Sequence, residues 1–267
     1  MLLPTKTVEK PWGMDTLPAP FAAPEGKRIG EIWFEPPAQL PQLLVKYIFA
    51  SEKLSIQVHP SDTQTQEMGL GKQGKEECWL VIDADDGATL GIGFDHTLSA
   101  EELRAASEDG SIEEMMVWHK VKPGDFFYIP ANTVHAIGGG VSIIEIQQNS
   151  DITYRLYDYG RPRELHLDDG VAVSQAGVHD PANRQHVPDS GDVALVDGPH
   201  FRLDRVDGEP DAATAARYSG PLLVIPREGA AEVEGEQVEP GSCALAPSID
   251  AVRFAAGGSC LITQPLA

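Results

Sequence analysis

Short apolar runs punctuated by Gly, Pro, Asp and Asn dominate the chain, the pattern of an all-β sandwich or barrel. Residues 42–50 (QLLVKYIFA), 54–59 (LSIQVH), 77–83 (ECWLVID), 125–130 (DFFYIP), 141–148 (VSIIEIQQ) and 152–159 (ITYRLYDY) are the strand candidates. One helical stretch interrupts them. Ser99, with Glu102 three residues later, carries the capping-box signature of a helix start, and residues 109–119 (DGSIEEMMVWH) predict a second short helix. Together they make a small helical insertion around 98–118. From Gly160 to about Val196 the chain is rich in polar residues, Pro and His and reads as an irregular connection.

A repeat is present. Val121–Pro130 (VKPGDFFYIP) is echoed by Val238–Pro247 (VEPGSCALAP), each a Pro-Gly turn, an alternating strand and a closing Pro. The echo continues to Ala136-Ile137 against Arg253-Phe254, with Val252 in the place of His135. The expectation is two related β-barrel halves: a metal-binding catalytic domain over 1–165, then a connection and a degenerate, metal-free half over 166–267.

At 267 residues the chain can bury a sizeable core, and 42% hydrophobic with 23% charged residues is ordinary for a soluble globular protein. No stretch approaches the roughly 20 apolar residues of a membrane span, and the N-terminus lacks the pattern of a secretory signal. Cys78, Cys243 and Cys260 are too few and scattered for a disulfide framework. The expected compartment is a reducing cytoplasm. A formal net charge of -21 argues against nucleic acid and anionic membranes as partners. An anionic substrate would need a local cationic cluster set against that background.

Alternation within the strands selects candidate chemistry. In 54–59, Ser55, Gln57 and His59 share one face and Leu54, Ile56 and Val58 the other. Lys75, Glu77 and Trp79 likewise share a face, and His135 follows a strand and a turn, which places it at a barrel mouth. Gln57, His59, Glu77 and His135 offer two imidazole nitrogens, a carboxylate and an amide oxygen, a set suited to a divalent metal such as zinc. If 153–161 is extended, Arg155, Tyr157, Tyr159 and Arg161 share a face. Arg163 reads as a surface ion pair, the remaining histidines as exposed, and Cys78 as a packed thiol.

Several segments in combination resemble the type I phosphomannose isomerases (mannose-6-phosphate isomerases) in their short bacterial form. They are 8–13 (VEKPWG), 30–33 (GEIW), 44–46 (LVK), 54–60 (LSIQVHP), 74–79 (GKEECW), 123–138 (PGDFFYIPANTVHAIG) and 150–158 (SDITYRLYD). The resemblance covers roughly residues 8 to 165. It implies a cupin-type all-β fold and a metal-dependent aldose–ketose isomerase interconverting mannose 6-phosphate and fructose 6-phosphate. It further implies Gln57, His59, Glu77 and His135 as ligands of one zinc ion per chain. Lys46, Lys75 and Arg155 would line the active site, with Ser55 and Arg161 at the phosphate. Glu76 competes with Glu77, and the motif places its ligand at Glu77, immediately before Cys78-Trp79. Lys75 is the first candidate for the general base. The rival readings are another cupin sugar-phosphate isomerase and a non-catalytic sugar-binding cupin.

Overall fold

The structure, a computed structural model of the chain, describes residues 1–266 and consists mostly of antiparallel strands with a few short helices. The first eleven strands are β1 (Thr5–Met14), β2 (Ile29–Phe34), β3 (Leu43–Ala50), β4 (Ile56–Val58), β5 (Glu77–Ala84), β6 (Thr89–Phe94), β7 (Met116–Lys120), β8 (Asp125–Ile129), β9 (His135–Ile137), β10 (Val141–Gln148) and β11 (Tyr154–Tyr157). Then come β12 (Arg184–His186), β13 (Val193–Asp197), β14 (Phe201–Asp207), β15 (Leu222–Glu228), β16 (Ala231–Val233), β17 (Glu236–Val238), β18 (Ala244–Ala246), β19 (Val252–Phe254) and β20 (Ser259–Pro265). Helices α1 (Asp62–Glu67), α2 (Ala100–Asp109), α3 (Ile112–Met115), α4 (Leu167–Val173) and α5 (Ala212–Ala215) lie in the connections.

A seven-stranded sheet runs β1-β2-β3-β10-β5-β8-β12 and faces a five-stranded sheet, β11-β4-β9-β6-β7. The C-terminal part has a five-stranded sheet, β13-β14-β20-β15-β18, and a three-stranded one, β17-β16-β19. Each of the six expected strands is present, and α2 begins with the expected capping box between Ser99 and Glu102. The second helix is shorter than expected. It stops at Met115, because Met116 enters β7 and pairs with Phe94 of β6. The 160–196 connection is not irregular throughout. It holds α4, whose first turn carries Asp168 and Asp169 against the positive end of the helix. Gly170 lets α4 pack closely on β11, since a Cβ there would lie 2.8 Å from Leu156 Cδ2 and 3.3 Å from Tyr154 Cβ. The same connection holds β12, which pairs with β8 and extends the first sheet.

The central strands of the seven-stranded sheet are buried on both faces, and this explains why β3 and β10 read as largely apolar runs. Ile48, Trp79, Val81 and Ile143 pack towards Leu90, Ile92 and Ile137 of the five-stranded sheet. Val45, Tyr47, Cys78, Leu80 and Ile146, each an odd number of positions from the first set on its strand, pack on Leu203, Leu223, Ile225 and Leu261 of the C-terminal part. One apolar cluster therefore runs continuously from the N-terminal to the C-terminal part. Cys78, Cys243 and Cys260 are free and buried within these layers.

The repeated segments occupy comparable positions. Gly124 and Gly241 both adopt φ near +90°, at 90° and 86°, ahead of β8 and β18. His135 opens β9 and Val252 opens β19. Val252 is buried among Val206, Val224, Val233 and Phe254.

All four tryptophans (Trp12, Trp33, Trp79, Trp118) lie in the N-terminal part, so their fluorescence reports on it alone. Leu203→Ala, a change in the C-terminal part, is expected to lower stability by about 2–5 kcal/mol. Because the core is shared, the tryptophan signal in a denaturant titration should move with it in a single transition. Two separated transitions, with the tryptophan midpoint unmoved, would show two independent cores.

Candidate active site

Strand register builds the site from two facing rows. In the five-stranded sheet Arg155 pairs with Gln57, Gln57 with His135, and His135 with Ile92. Residues directly opposite in an antiparallel pair project to the same face, so Arg155, Gln57 and His135 stand side by side. In the seven-stranded sheet Trp33 pairs with Lys46, Lys46 with Glu145, and Glu145 with Trp79. Gln147 pairs with Glu77 one step further along, on the same face. The interleaved positions Tyr47, Ile144, Ile146 and Cys78 point into the other core.

Where the rows meet, His59, Glu77 and His135 bring three potential ligand atoms within 4.8 Å of one another. Each imidazole is oriented by a main-chain carbonyl. His59 Nδ1 donates to Ile152 O at 2.9 Å, and His135 Nδ1 donates to Thr133 O at 2.8 Å. A carbonyl only accepts, so Nδ1 carries the proton in both rings and each Nε2 presents a lone pair. His135 Nε2 lies 3.3 Å from Glu77 Oε1 and His59 Nε2 lies 3.7 Å from Glu77 Oε2. Glu77 Oε1 has no hydrogen-bond donor and is buried. Lone pairs facing lone pairs in a buried space call for a cation between them, and the donor set suits a divalent metal. Gln57 stands beside this group with its amide Nε2 3.3 Å from His135 Nε2, while its Oε1 accepts from Ser55 Oγ at 3.4 Å.

The electrostatics agree. Burial, reinforced by Lys75, holds the His59 imidazole well below its ordinary pKa, and burial also lowers that of His135. Burial works to raise the Glu77 carboxyl, but the Lys75 ammonium, 2.5 Å from Oε2, outweighs it and keeps the pKa low. Lys75 Nζ also lies 3.1 Å from His59 Nε2, consistent with a lone pair there.

Above this floor opens a cavity of about 540 Å³. Lys46, Ser55, Gln57, Lys75 and Arg155 line it, together with Lys10, Trp12, Glu31, Trp33, Glu145, Asp151 and Arg163. Five cationic side chains against three carboxylates make a positive lining in a chain of net charge -21. Lys46 Nζ sits 2.8 Å from Glu145 Oε1, and Trp79 Nε1 donates to Glu145 Oε2 at 3.0 Å. Burial alone would depress the Lys46 ammonium, yet Glu145 and Glu31 overcome it and raise its pKa. Glu145 and Glu31 were not singled out by the sequence reasoning. A carboxylate inside the otherwise apolar run VSIIEIQQ was the available signal, because such groups are buried only when paired.

Four expectations need correction. His135 does not sit at an open mouth but is 1% exposed, beneath the cavity. Residues 153–161 are not extended throughout, since β11 ends at Tyr157 and Tyr159 and Gly160 turn left-handed (φ 55° and 76°). Arg161 is thereby taken off the shared face and is not among the lining residues. It donates to the Lys53 carbonyl, while Arg163, read from sequence as a plain surface pair, lines the cavity and bonds Asp158 through both Nε and Nη2 at 2.6 Å. Arg155 Nη1 and Arg161 Nη1 are buried without a hydrogen-bond acceptor. The remaining histidines are not uniformly exposed: His179 is buried and its Nε2 donates to the Tyr128 carbonyl at 2.8 Å, and His200 is half-buried. Burial raises the Cys78 thiol well above its ordinary value, as a packed thiol requires. Glu76 faces away from Glu77, and its carboxylate accepts from the Tyr128 hydroxyl.

No family model matches the chain. In sequence it is 36% identical over 207 residues, 74% of its length, to the mannose-6-phosphate isomerase of Bacillus subtilis, of which the match covers 65%. The matched segments span less than two thirds of each curated relative. In structure it superposes with a TM-score of 0.77 on the crystal structure of the mannose 6-phosphate isomerase from Bacillus subtilis, covering 98% of both chains at 23% identity. It also matches a zinc-bound mannose 6-phosphate isomerase at a TM-score of 0.72 and 14% identity, covering 100% of this chain and 99% of that one. The chain is thus similar in sequence to mannose-6-phosphate isomerases and has their fold.

The site should take up one divalent ion per chain. His135→Ala should weaken that uptake by at least on the order of a hundredfold, read by metal analysis after gel filtration, with the β-sheet circular dichroism unchanged. Full occupancy in the variant would remove His135 from the ligand set. Without metal, stability should depend on pH in a defined direction. The depressed imidazoles of His59 and His135 mean that the unfolded chain binds more protons below about pH 6.5. Metal-free protein should therefore lose stability as pH falls from about 7 to about 5. His135→Ala should flatten that slope in thermal melts.

Proposed function

We propose that the chain is a metal-dependent aldose–ketose isomerase that interconverts mannose 6-phosphate and fructose 6-phosphate, with zinc held by Gln57, His59, Glu77 and His135. The observation that carries this reading is a buried group of lone-pair donors lying directly beneath a cation-lined cavity of sugar-phosphate size. The sequence similarity to mannose-6-phosphate isomerases supports it. We also infer two cupin-type halves divided near residue 165, the second metal-free, and a reducing cytoplasm as the setting for three free thiols.

Bound zinc would act as a Lewis acid, stabilising negative charge on the sugar's oxygens at C1 and C2. The protein's residues do the rest. Ser55, on the cavity lining, is assigned to the phosphate together with Arg161, which lies outside the lining with Nη1 3.5 Å from Asp158 Oδ1 and Nη2 on the Lys53 carbonyl, two residues before Ser55. Arg155 and Lys46 face the reacting carbons and favour the charge that develops as a proton moves between C2 and C1. Lys75 Nζ, on the cavity floor, is assigned to the proton transfer. Trp12 and Trp33 wall the cavity and limit the entry of water.

Phosphate is held similarly in ground and transition states, so Arg161→Ala should mainly raise KM. Arg155→Ala should mainly lower kcat. Each loss is expected at about 1.5–3 kcal/mol, or roughly ten- to a hundred-fold. The test is a steady-state assay of metal-reconstituted protein on a panel of hexose and pentose phosphates. Turnover of another aldose phosphate in preference would point to a different isomerase. Binding without turnover of any would leave a sugar-binding protein.

A further inference from the structure

We propose that His200, from the C-terminal part, is a positioning residue for the metal ligands, acting through Glu76 and Asp62. This deepens the metal-dependent reading of the site and rests on it. His200 stands immediately before β14 with its imidazole between two carboxylates of the N-terminal part. Nδ1 lies 3.6 Å from Asp62 Oδ2, and Nε2 lies 3.7 Å from Glu76 Oε1. Among the described residues it is the one basic side chain within 4.0 Å of either carboxylate. Its backbone is fixed, since the His200 carbonyl accepts from Leu266 N–H at 2.7 Å. The adjacent Phe201 is 1% exposed and meets the Tyr128 ring edge-on at 6.3 Å.

The two carboxylates hold the segments that carry the ligands. Glu76 lies between Lys75 and Glu77, so anything that fixes its side chain fixes the strand entry on which Glu77 is mounted. One Glu76 oxygen takes the Tyr128 hydroxyl, and the Glu76 N–H donates to Gln148 Oε1 at 2.9 Å. Asp62 Oδ1 accepts from Gly74 N–H at 2.7 Å and from Gln148 Nε2 at 2.9 Å. Lys75 N–H donates to the Pro60 carbonyl at 3.0 Å. Residues 74 and 60 approach so closely that a Cβ on Gly74 would lie 2.3 Å from Pro60 O, and only glycine fits. His59, Lys75 and Glu77 therefore hang from one clamp made by 59–62, 74–77 and Gln148. The His200 imidazole stands between its two acidic members and spans them. Without that ring, Asp62 and the largely buried Glu76 lose the one basic side chain between them, and the strand entry can relax. Ligand geometry tolerates little such movement.

The test uses the full chain, stripped of metal and titrated with Zn²⁺ against a competing chelator. His200→Gln keeps polarity but removes the imidazole that spans Asp62 and Glu76. Zinc affinity should fall by about tenfold, within the range for residues that orient ligands. His200→Lys should restore most of it. Glu76→Gln should cost a similar factor, and the His200→Gln/Glu76→Gln double variant little more than either alone. In turnover assays the His200→Gln loss should appear in kcat, with KM for mannose 6-phosphate within about twofold of wild type. A His200→Gln protein that melts earlier but binds zinc as wild type would overturn the proposal and leave His200 as interface packing. Additive losses in the double variant, or no recovery with His200→Lys, would do the same. Zinc affinity is read without substrate, so an absence of isomerase activity in the wild type would count against the proposed reaction and not against the clamp.

Discussion

Burial of the central strands of the seven-stranded sheet on both faces is the constraint from which the rest of the structure follows. A strand with two dry faces has nowhere to place an unpaired polar side chain. Yet β3, β5 and β10 carry Lys46, Glu77, Glu145 and Gln147. Each has a partner: Lys46 with Glu145 and Glu145 with Trp79 across the ladder, Glu77 with Lys75 from its own segment, and Gln147 with the main-chain carbonyls of Gln148 and Ser150. The polar interior of the cavity is thus a paired network laid out by strand register. Removing one member would leave a buried charge behind, and for that reason the network is rigid as well as polar.

The same sheet resolves the conflict between an acidic protein and an anionic ligand. Surface charges are screened within about 8–10 Å at physiological salt, whereas groups in a partly enclosed cavity are not. A small excess of cations in the lining can therefore set the local potential while the exterior stays strongly negative. Below that lining, two imidazoles kept neutral by burial and one carboxylate kept ionised by an ammonium present the protonation states that a divalent metal requires.

Much of this was legible in the chain. Strand alternation placed Ser55, Gln57 and His59 on a common face, and Lys75 with Glu77, from spacing alone. The capping box at Ser99 was visible because its two partners are three residues apart. Features that depend on contacts between distant segments were not legible. Strand β1 is an edge strand and half polar, so TKTVEKPWGM lacks an apolar run. Helix α4 was hidden by Gly170, a poor helix former that packs closely on Leu156. The course of Arg161 turned on a left-handed pair at Tyr159 and Gly160, and a non-glycine residue there gives little warning. Nothing in the spacing of His200 links it to residues 62 and 76, which it meets only because two sheets pack face to face.

The alternating allegiance of β5 has an evolutionary corollary. Odd-numbered residues Glu77, Trp79 and Val81 serve the cavity side, and even-numbered Cys78 and Leu80 serve the shared core. Inserting or deleting a single residue here would exchange the two sets, sending a carboxylate into hydrocarbon and a thiol towards the cavity floor. Loops elsewhere can drift in length one codon at a time. In these central strands length can change only by even steps, or by a bulge that absorbs the odd residue, as the shift between Ser142 and Ile143 of β10 against β5 already does.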